Sequence, residues 1–123
     1  MILVDTSIWI DHLRQHDERL SNLLNQGQVL GHPFVTGELA LGNLQNRDVV
    51  LGALQNLPQA PLASESEVLG FIRQNALYGL GIGYIDAHLL AAARLAPGTT
   101  LWTRDKRLLG TASSLGLAET AAH

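Results

Sequence analysis

Four acidic side chains carry the chemical promise of this sequence: Asp5, which closes the apolar run Met1-Ile2-Leu3-Val4, then Glu38, Asp86, and Asp105, which closes Leu101-Trp102-Thr103-Arg104. They are far apart along the chain but stand at the edges of candidate elements, where a fold can gather them. Gathered carboxylates repel, because each like-charged pair at about 4 Å costs roughly 4 kcal/mol even at an effective dielectric of about 20. A divalent cation relieves that repulsion, and carboxylates with water are the donors that hard ions such as Mg²⁺ or Mn²⁺ take. The chemistry within reach is metal-assisted hydrolysis.

Taken one at a time, the acids have ordinary explanations. Asp5, Asp86 and Asp105 each suit a helix N-cap, where a carboxylate accepts from orphan backbone amides. Glu38 lies inside a helical stretch among Gly37, Leu39, Ala40, Leu41 and Gly42, and it is the only charged residue between Arg19 and Arg47; a solvent-facing helix stripe accounts for it equally well. The set as a whole is what points to a cation site. With no cysteine in the chain, thiolate nucleophiles and sulfur-ligated zinc drop out, and a reducing, cytoplasmic setting fits. The five histidines do not form a ligand pattern: His12 and His16 are four apart without a His-Glu-x-x-His context, His32 reads as a turn residue before Pro33, and His88 falls on a different helix face from Asp86.

The elements that must position these acids follow from the pattern of apolar residues and breakers. Met1 to Val4 reads as a short buried strand, and Asp5-Thr6-Ser7 starts a helix through Ile8, Trp9, Ile10 and Leu13. Asp17 caps a second helix that Gly27 stops before a strand over Gln28 to Leu30, and Pro33 suits the first turn of a third. A fourth helix runs through Val49, Val50 and Leu54 to Pro58, followed by a short strand near Leu62. Ser64 and Glu67 form a capping box for a fifth helix. Gly79, Gly81 and Gly83 make a loop before a helix from Ile85 to Leu95, ended by Pro97-Gly98. Thr99 to Thr103 is a strand, Lys106 to Ala112 a helix, Leu115 to Ala118 a weak last strand, and 119–123 a frayed tail.

With 123 residues and 46% hydrophobic content, these elements make one domain over residues 1–123 with a real core. Alternating strands and helices imply crossovers, hence an α/β fold with a parallel sheet of about five short strands and helices on both faces. Ligands in such folds bind beyond the carboxyl ends of the strands, the side on which Asp5 and Asp105 fall. Gln74 to Ile85 holds three glycines and is too short for a membrane span of ~20 residues. The first residues lack the charged and apolar regions of a signal peptide. The net charge of −3 argues against nucleic acid, yet setting the four acids aside leaves the 8 Lys and Arg slightly in excess of the remaining acids, so a mildly basic surface can surround an acidic pit.

Four segments together carry a specific resemblance: Ile2-Leu3-Val4-Asp5-Thr6-Ser7-Ile8-Trp9, Thr36-Gly37-Glu38-Leu39-Ala40-Leu41-Gly42, Gly83-Tyr84-Ile85-Asp86-Ala87, and Leu101-Trp102-Thr103-Arg104-Asp105-Lys106-Arg107-Leu108. In order and spacing, over nearly the full length, the chain resembles a PIN-domain ribonuclease and more narrowly the VapC-type toxins of bacterial toxin-antitoxin pairs. The resemblance implies a PIN-like three-layer α/β/α sandwich, a metal-dependent endoribonuclease activity on RNA, a homodimer, and a cognate VapB-like antitoxin that covers the groove. It implies that Asp5, Glu38, Asp86 and Asp105 are the catalytic quartet, with Asp5, Asp86 and Asp105 holding Mg²⁺ or Mn²⁺ and Glu38 orienting a water or a second ion. Some PIN nucleases carry a further acid just after the last aspartate, where this chain has Lys106 and Arg107.

Other residues take supporting roles in this reading. Thr103, Thr6 and Ser7 are placed to hydrogen-bond the carboxylates, and Arg104, Lys106 and Arg107 to meet RNA phosphates. Trp9 and Trp102 fall at apolar positions and read as core. Two other functions compete: a catalytically silent PIN fold acting as an RNA-binding or assembly module, and a phosphotransferase with Asp5 as nucleophile. The second, of the haloacid dehalogenase kind, requires another aspartate two residues on, where Ser7 stands.

Overall fold

A computed structural model of the chain describes residues 1–119. Strand β1 (Ile2–Val4) leads into α1 (Thr6–Arg14), α2 (Glu18–Asn25) and β2 (Val29–Leu30). Four helices follow, α3 (Pro33–Ala40), α4 (Arg47–Asn56), α5 (Glu65–Gln74) and α6 (Tyr84–Leu95), before β3 (Thr100–Trp102) and α7 (Lys106–Ser114).

The helix boundaries sit where local chemistry puts them. Asp17 accepts the Leu20 amide at 2.9 Å to start α2. Ser64 and Glu67 exchange both bonds of a capping box at α5. Pro33 occupies the first turn of α3, and α2 gives way to Gly27 at φ +67°.

The sheet has three parallel strands in the order β2-β1-β3, with Leu3 opposite both Leu30 and Leu101. The two further strands expected from the sequence shrink to isolated parallel bridges, Gly31 with Gln59 and Leu101 with Ala118. The fourth sheet position thus falls at Gln59 instead of Leu62, which is exposed. Its brevity has a direct cause: Pro58 and Pro61 flank it, and neither has an N–H to continue a ladder. Of the expected tail, 120–123 lie outside the described residues. Glu119, by contrast, is held: its N–H donates to the Leu101 carbonyl, and its carboxylate accepts from Thr100 and pairs with Arg19 at 2.6 Å.

Successive strand residues Leu3 and Val4, and Leu101 and Trp102, are all buried, so both faces of the sheet are covered. Right-handed crossovers place α1 to α4, which run outward from β1 past β2 to Gln59, on one face and α5, α6 and α7 on the other. From β1 the chain moves toward β2, while from β3 it moves through α7 toward Ala118 on the opposite side. A crevice therefore opens between the carboxyl ends of β1 and β3, the place where open α/β sheets bind ligands. Trp9 and Trp102 are core residues, and the Arg19 guanidinium lies 4.4 Å over the Trp102 ring. Among the described residues no helix is long and apolar enough to cross a membrane.

Leu3 is fully buried in the central strand, so Leu3→Ala is expected to lower the unfolding free energy by about 2–5 kcal/mol. Urea denaturation reads this, and a loss below about 1 kcal/mol would show that the sheet centre is not the packed core described.

Candidate active site

Asp5 occupies the N-cap position of α1 without capping it. The first amides of α1 are served by its backbone carbonyl, which accepts from Ile8 and Trp9. Its side chain, only 6% exposed, accepts instead from Ser7 Oγ at 2.8 Å and Thr103 Oγ1 at 2.7 Å, both on Oδ2. Capping thus fails to explain Asp5. The sheet register explains why Thr103 is there: Val4 pairs with Trp102, so the residues that follow them emerge side by side. The Arg104 amide donates to Ser7 Oγ and the Asp105 amide to Thr103 Oγ1, which ties the end of β3 to the start of α1.

The other acids are anchored in the same one-sided way. Glu38, half-buried on α3, accepts from Thr6 Oγ1 at 2.7 Å through Oε1. Asp86, in the first turn of α6, accepts from the Gly83 amide at 3.1 Å through Oδ2. Asp105 caps α7, its Oδ1 accepting from the Arg107 and Leu108 amides. Each carboxylate is therefore held by one oxygen, and its second oxygen has no hydrogen-bond partner among the described residues.

Asp86 registers its neighbours electrostatically. Burial raises its pKa first of all; the Gly83 amide opposes this, and the charges of Asp5, Asp105 and Glu38 raise it further. The fold has brought the four acids into one field. Among the described residues no group of three His, Asp or Glu side chains is close enough to cage an ion alone. Ion binding by this set therefore relies on water or substrate oxygens to complete the shell, which hard divalent cations accept. The donors are all oxygen, and the free oxygens are the donors such an ion needs.

The basic residues separate. Arg104 is committed to ion pairs with Asp11 and, at 2.9 Å, Asp17, facing the α1–α2 corner. Lys106 and Arg107 are exposed. The histidines behave unlike their sequence context: His32 is fully buried and accepts the Phe34 amide through Nδ1. Burial and then the nearby His88 lower its pKa to about 4, so it is neutral. His88 is also buried, with Phe34 and Tyr84 edge-on to its ring. That aromatic cluster between α3 and α6 was not visible in the sequence beyond the Tyr84-to-His88 spacing of one helical turn.

The PIN domain family model matches residues 2–113. Ribonuclease VapC32 of Mycobacterium tuberculosis, in two strains, is 49% identical over 118 residues, 96% of this chain and 95% of that protein. The crystal structure of FitAcB from Neisseria gonorrhoeae superposes with a TM-score of 0.63 at 25% identity, covering 92% of this chain and 94% of that one. The chain belongs to the PIN-domain family and, within it, to the VapC type.

Asp86 supplies a pH prediction. Its folded pKa lies above the unfolded value of an ordinary Asp, so in the window between the two the native state holds more protons than the unfolded state, and stability falls as pH rises through it. Asp86→Asn, which keeps an acceptor for the Gly83 amide, is expected to raise the melting temperature at pH 7 and to flatten its pH dependence from pH 7 down to about 4. Thermal melts across that range read this, and a lowered melting temperature at pH 7 would contradict the mutual repulsion of the four acids.

Proposed function

We propose that the chain is a divalent-metal-dependent endoribonuclease, the toxin of a toxin-antitoxin pair, acting through Asp5, Glu38, Asp86 and Asp105. The observation that carries this is the one-sided anchoring of four carboxylates in a strand-end crevice, each with an oxygen left over. VapC32, nearly half identical along nearly its whole length, is named a ribonuclease, which supports RNA as the substrate. A silent binding module has no use for four acids held this way.

A magnesium or manganese ion seated on Asp5, Asp86 and Asp105 supplies, when bound, the activation of a water and the neutralisation of charge on the attacked phosphate. The chain's own residues prepare for it. Ser7 and Thr103 fix the rotation of the Asp5 carboxylate, and outer hydrogen bonds of this kind orient a ligand and set its basicity. Thr6 holds Glu38 facing the same crevice, where its free oxygen can accept from a water. Lys106 and Arg107 stand at the rim to meet phosphates. Attack by water with cleavage of the P–O3′ bond leaves a 5′-phosphate and a 3′-hydroxyl, without use of the RNA 2′-hydroxyl.

The antitoxin surface in this reading is the groove along α1. Exposed Ile10 and Leu13, with Arg14 and the residues after α3, line a cavity of about 510 Å³ whose wall includes Glu38. Leu13 also borders an apolar cavity of about 240 Å³ against α4. An amphipathic segment laid there covers the approach to Glu38. The reading includes self-association into a homodimer, which sedimentation of the chain alone reads.

Asp5→Asn and Glu38→Gln are each expected to lower the rate of cleavage of a single-stranded RNA ~100-fold or more, with circular dichroism unchanged. Chelation should abolish cleavage and Mg²⁺ or Mn²⁺ restore it. Full activity of Asp5→Asn, or 2′,3′-cyclic phosphate ends on the product, would overturn the reading.

A further inference from the structure

At the start of α6, two residues before Asp86, a tyrosine is held out to solvent by a row of buried and half-buried rings. Tyr84 is the first residue of α6 and 49% exposed. Its ring stands at 88° to that of His88, 4.7 Å between centroids. His88, 5% exposed, is in turn 4.6 Å from Phe34, and Phe34 is 5.3 Å from the fully buried His32. Each contact is edge-on, the favoured geometry for aromatic pairs. The row runs from the start of α3 to the start of α6, so the outermost ring is braced through the helix that carries Glu38 and the helix that carries Asp86. Tyr78, 70% exposed, has no such brace among the described residues.

The ring is also fixed relative to the acids. Asp86 lies two residues on, and its bond from the Gly83 amide locks the turn between them. On the other side of the loop, Arg107 packs against Gly81: a Cβ there would stand 2.7 Å from Nη1 and 3.0 Å from Cδ, and Gly81 has φ +79°. Only glycine leaves that seat open. Arg107 makes no ion pair among the described residues, and its amide is bound by Asp105. The segment from Gly81 to Tyr84 thus has a seated guanidinium at one end and a braced aromatic ring at the other, belonging to residues that each stand two positions from an acid, Asp105 and Asp86.

Single-stranded RNA is gripped by stacking bases on aromatic rings and pairing phosphates with arginine. We propose that Tyr84 is the platform on which a base next to the scissile phosphate stacks, with Arg107 holding the neighbouring phosphate. This rests on the ribonuclease reading for its substrate. Stacking accepts any base, so Tyr84 contributes affinity and registration of the strand, and base preference arises elsewhere. Tyr84 is a positioning residue: it binds the nucleotide and leaves the bond-breaking step to the acids.

The test uses single-stranded RNA oligonucleotides with 2-aminopurine at successive positions, added to the full chain with Mg²⁺. Wild type is expected to quench one position strongly. Tyr84→Ala and Tyr84→Leu should lose that quench and raise KM about 10-fold or more, with kcat within about 2-fold. Tyr84→Trp should retain both, and Tyr78→Ala should match wild type. Tyr84→Leu keeps bulk against His88, and its melting temperature reports that the fold is intact. Wild-type KM and quench in Tyr84→Leu would overturn the proposal while cleavage by wild type upholds the enzyme reading. A changed sedimentation coefficient with RNA affinity intact would also overturn it, by making Tyr84 a protein contact. Quenching lost in Tyr84→Leu, with no cleavage by wild type, would uphold the stacking role and overturn the nuclease.

Discussion

A carboxylate placed almost out of reach of water at the end of the central strand is the constraint around which this molecule is arranged. Asp5, at 6% exposure, is a buried polar group that costs stability unless donors replace the lost water. Two hydroxyls do so, and hydrogen bonds to a charged group contribute about 1.5–3 kcal/mol each. One comes from the first turn of α1 and the other from the end of β3, so holding the carboxylate also fixes the two chain segments to each other. The Arg104 and Asp105 amides close the arrangement onto the same hydroxyls. The crevice between β1 and β3 thus owes its width to a polar network as much as to the packing of Leu3 and Leu101 beneath it.

The remaining acids add a cost that the core must offset. Asp86 is half-buried in the field of three like charges, at the open end of the helix whose residues Ala87 to Ala93 are all buried. Small alanines let that helix approach its neighbours on every side, and Leu89 and Leu90 fill the space between. Rigidity at that end prevents the acids from relaxing apart, which is how a strained charge arrangement persists at a site. A fold with only about 5–15 kcal/mol of net stability holds few such arrangements.

Much of this was legible in the chain. Asp5 and Asp105 were found because they follow apolar runs that can only be strands, and Glu38 because it is a lone charge in an apolar helix. The hydrogen bond from Thr6 to Glu38 was not, since it joins residues 32 apart and depends on how α1 crosses α3. Sheet extent was overread at Leu62 and at Leu115 to Ala118: apolar residues in short runs signal a strand, but prolines and a single bridge decide its length. His32 looked like a turn residue because sequence does not reveal protonation; as a neutral imidazole it is at home in the core while its Nδ1 caps α3. Glu119 read as tail, yet a carboxylate facing Arg19 and Thr100 has reason to stay.

Arg104 and Arg107 show where sequence reasoning about charge runs out. Both flank Asp105, and composition treats them alike. Two acids from the α1–α2 corner occupy Arg104, so its guanidinium steadies the loop that delivers Thr103 and Asp105. Such exposed pairs contribute little to global stability; their effect is to hold the direction of one short segment. Arg107 meets a glycine instead of an acid. Packing on Gly81 restrains the side chain without neutralising it, which leaves a restrained positive charge at the rim of an acidic crevice. A restrained cation loses less freedom on meeting a phosphate than a mobile one, and its charge offsets the repulsion that the four acids exert on an approaching polyanion.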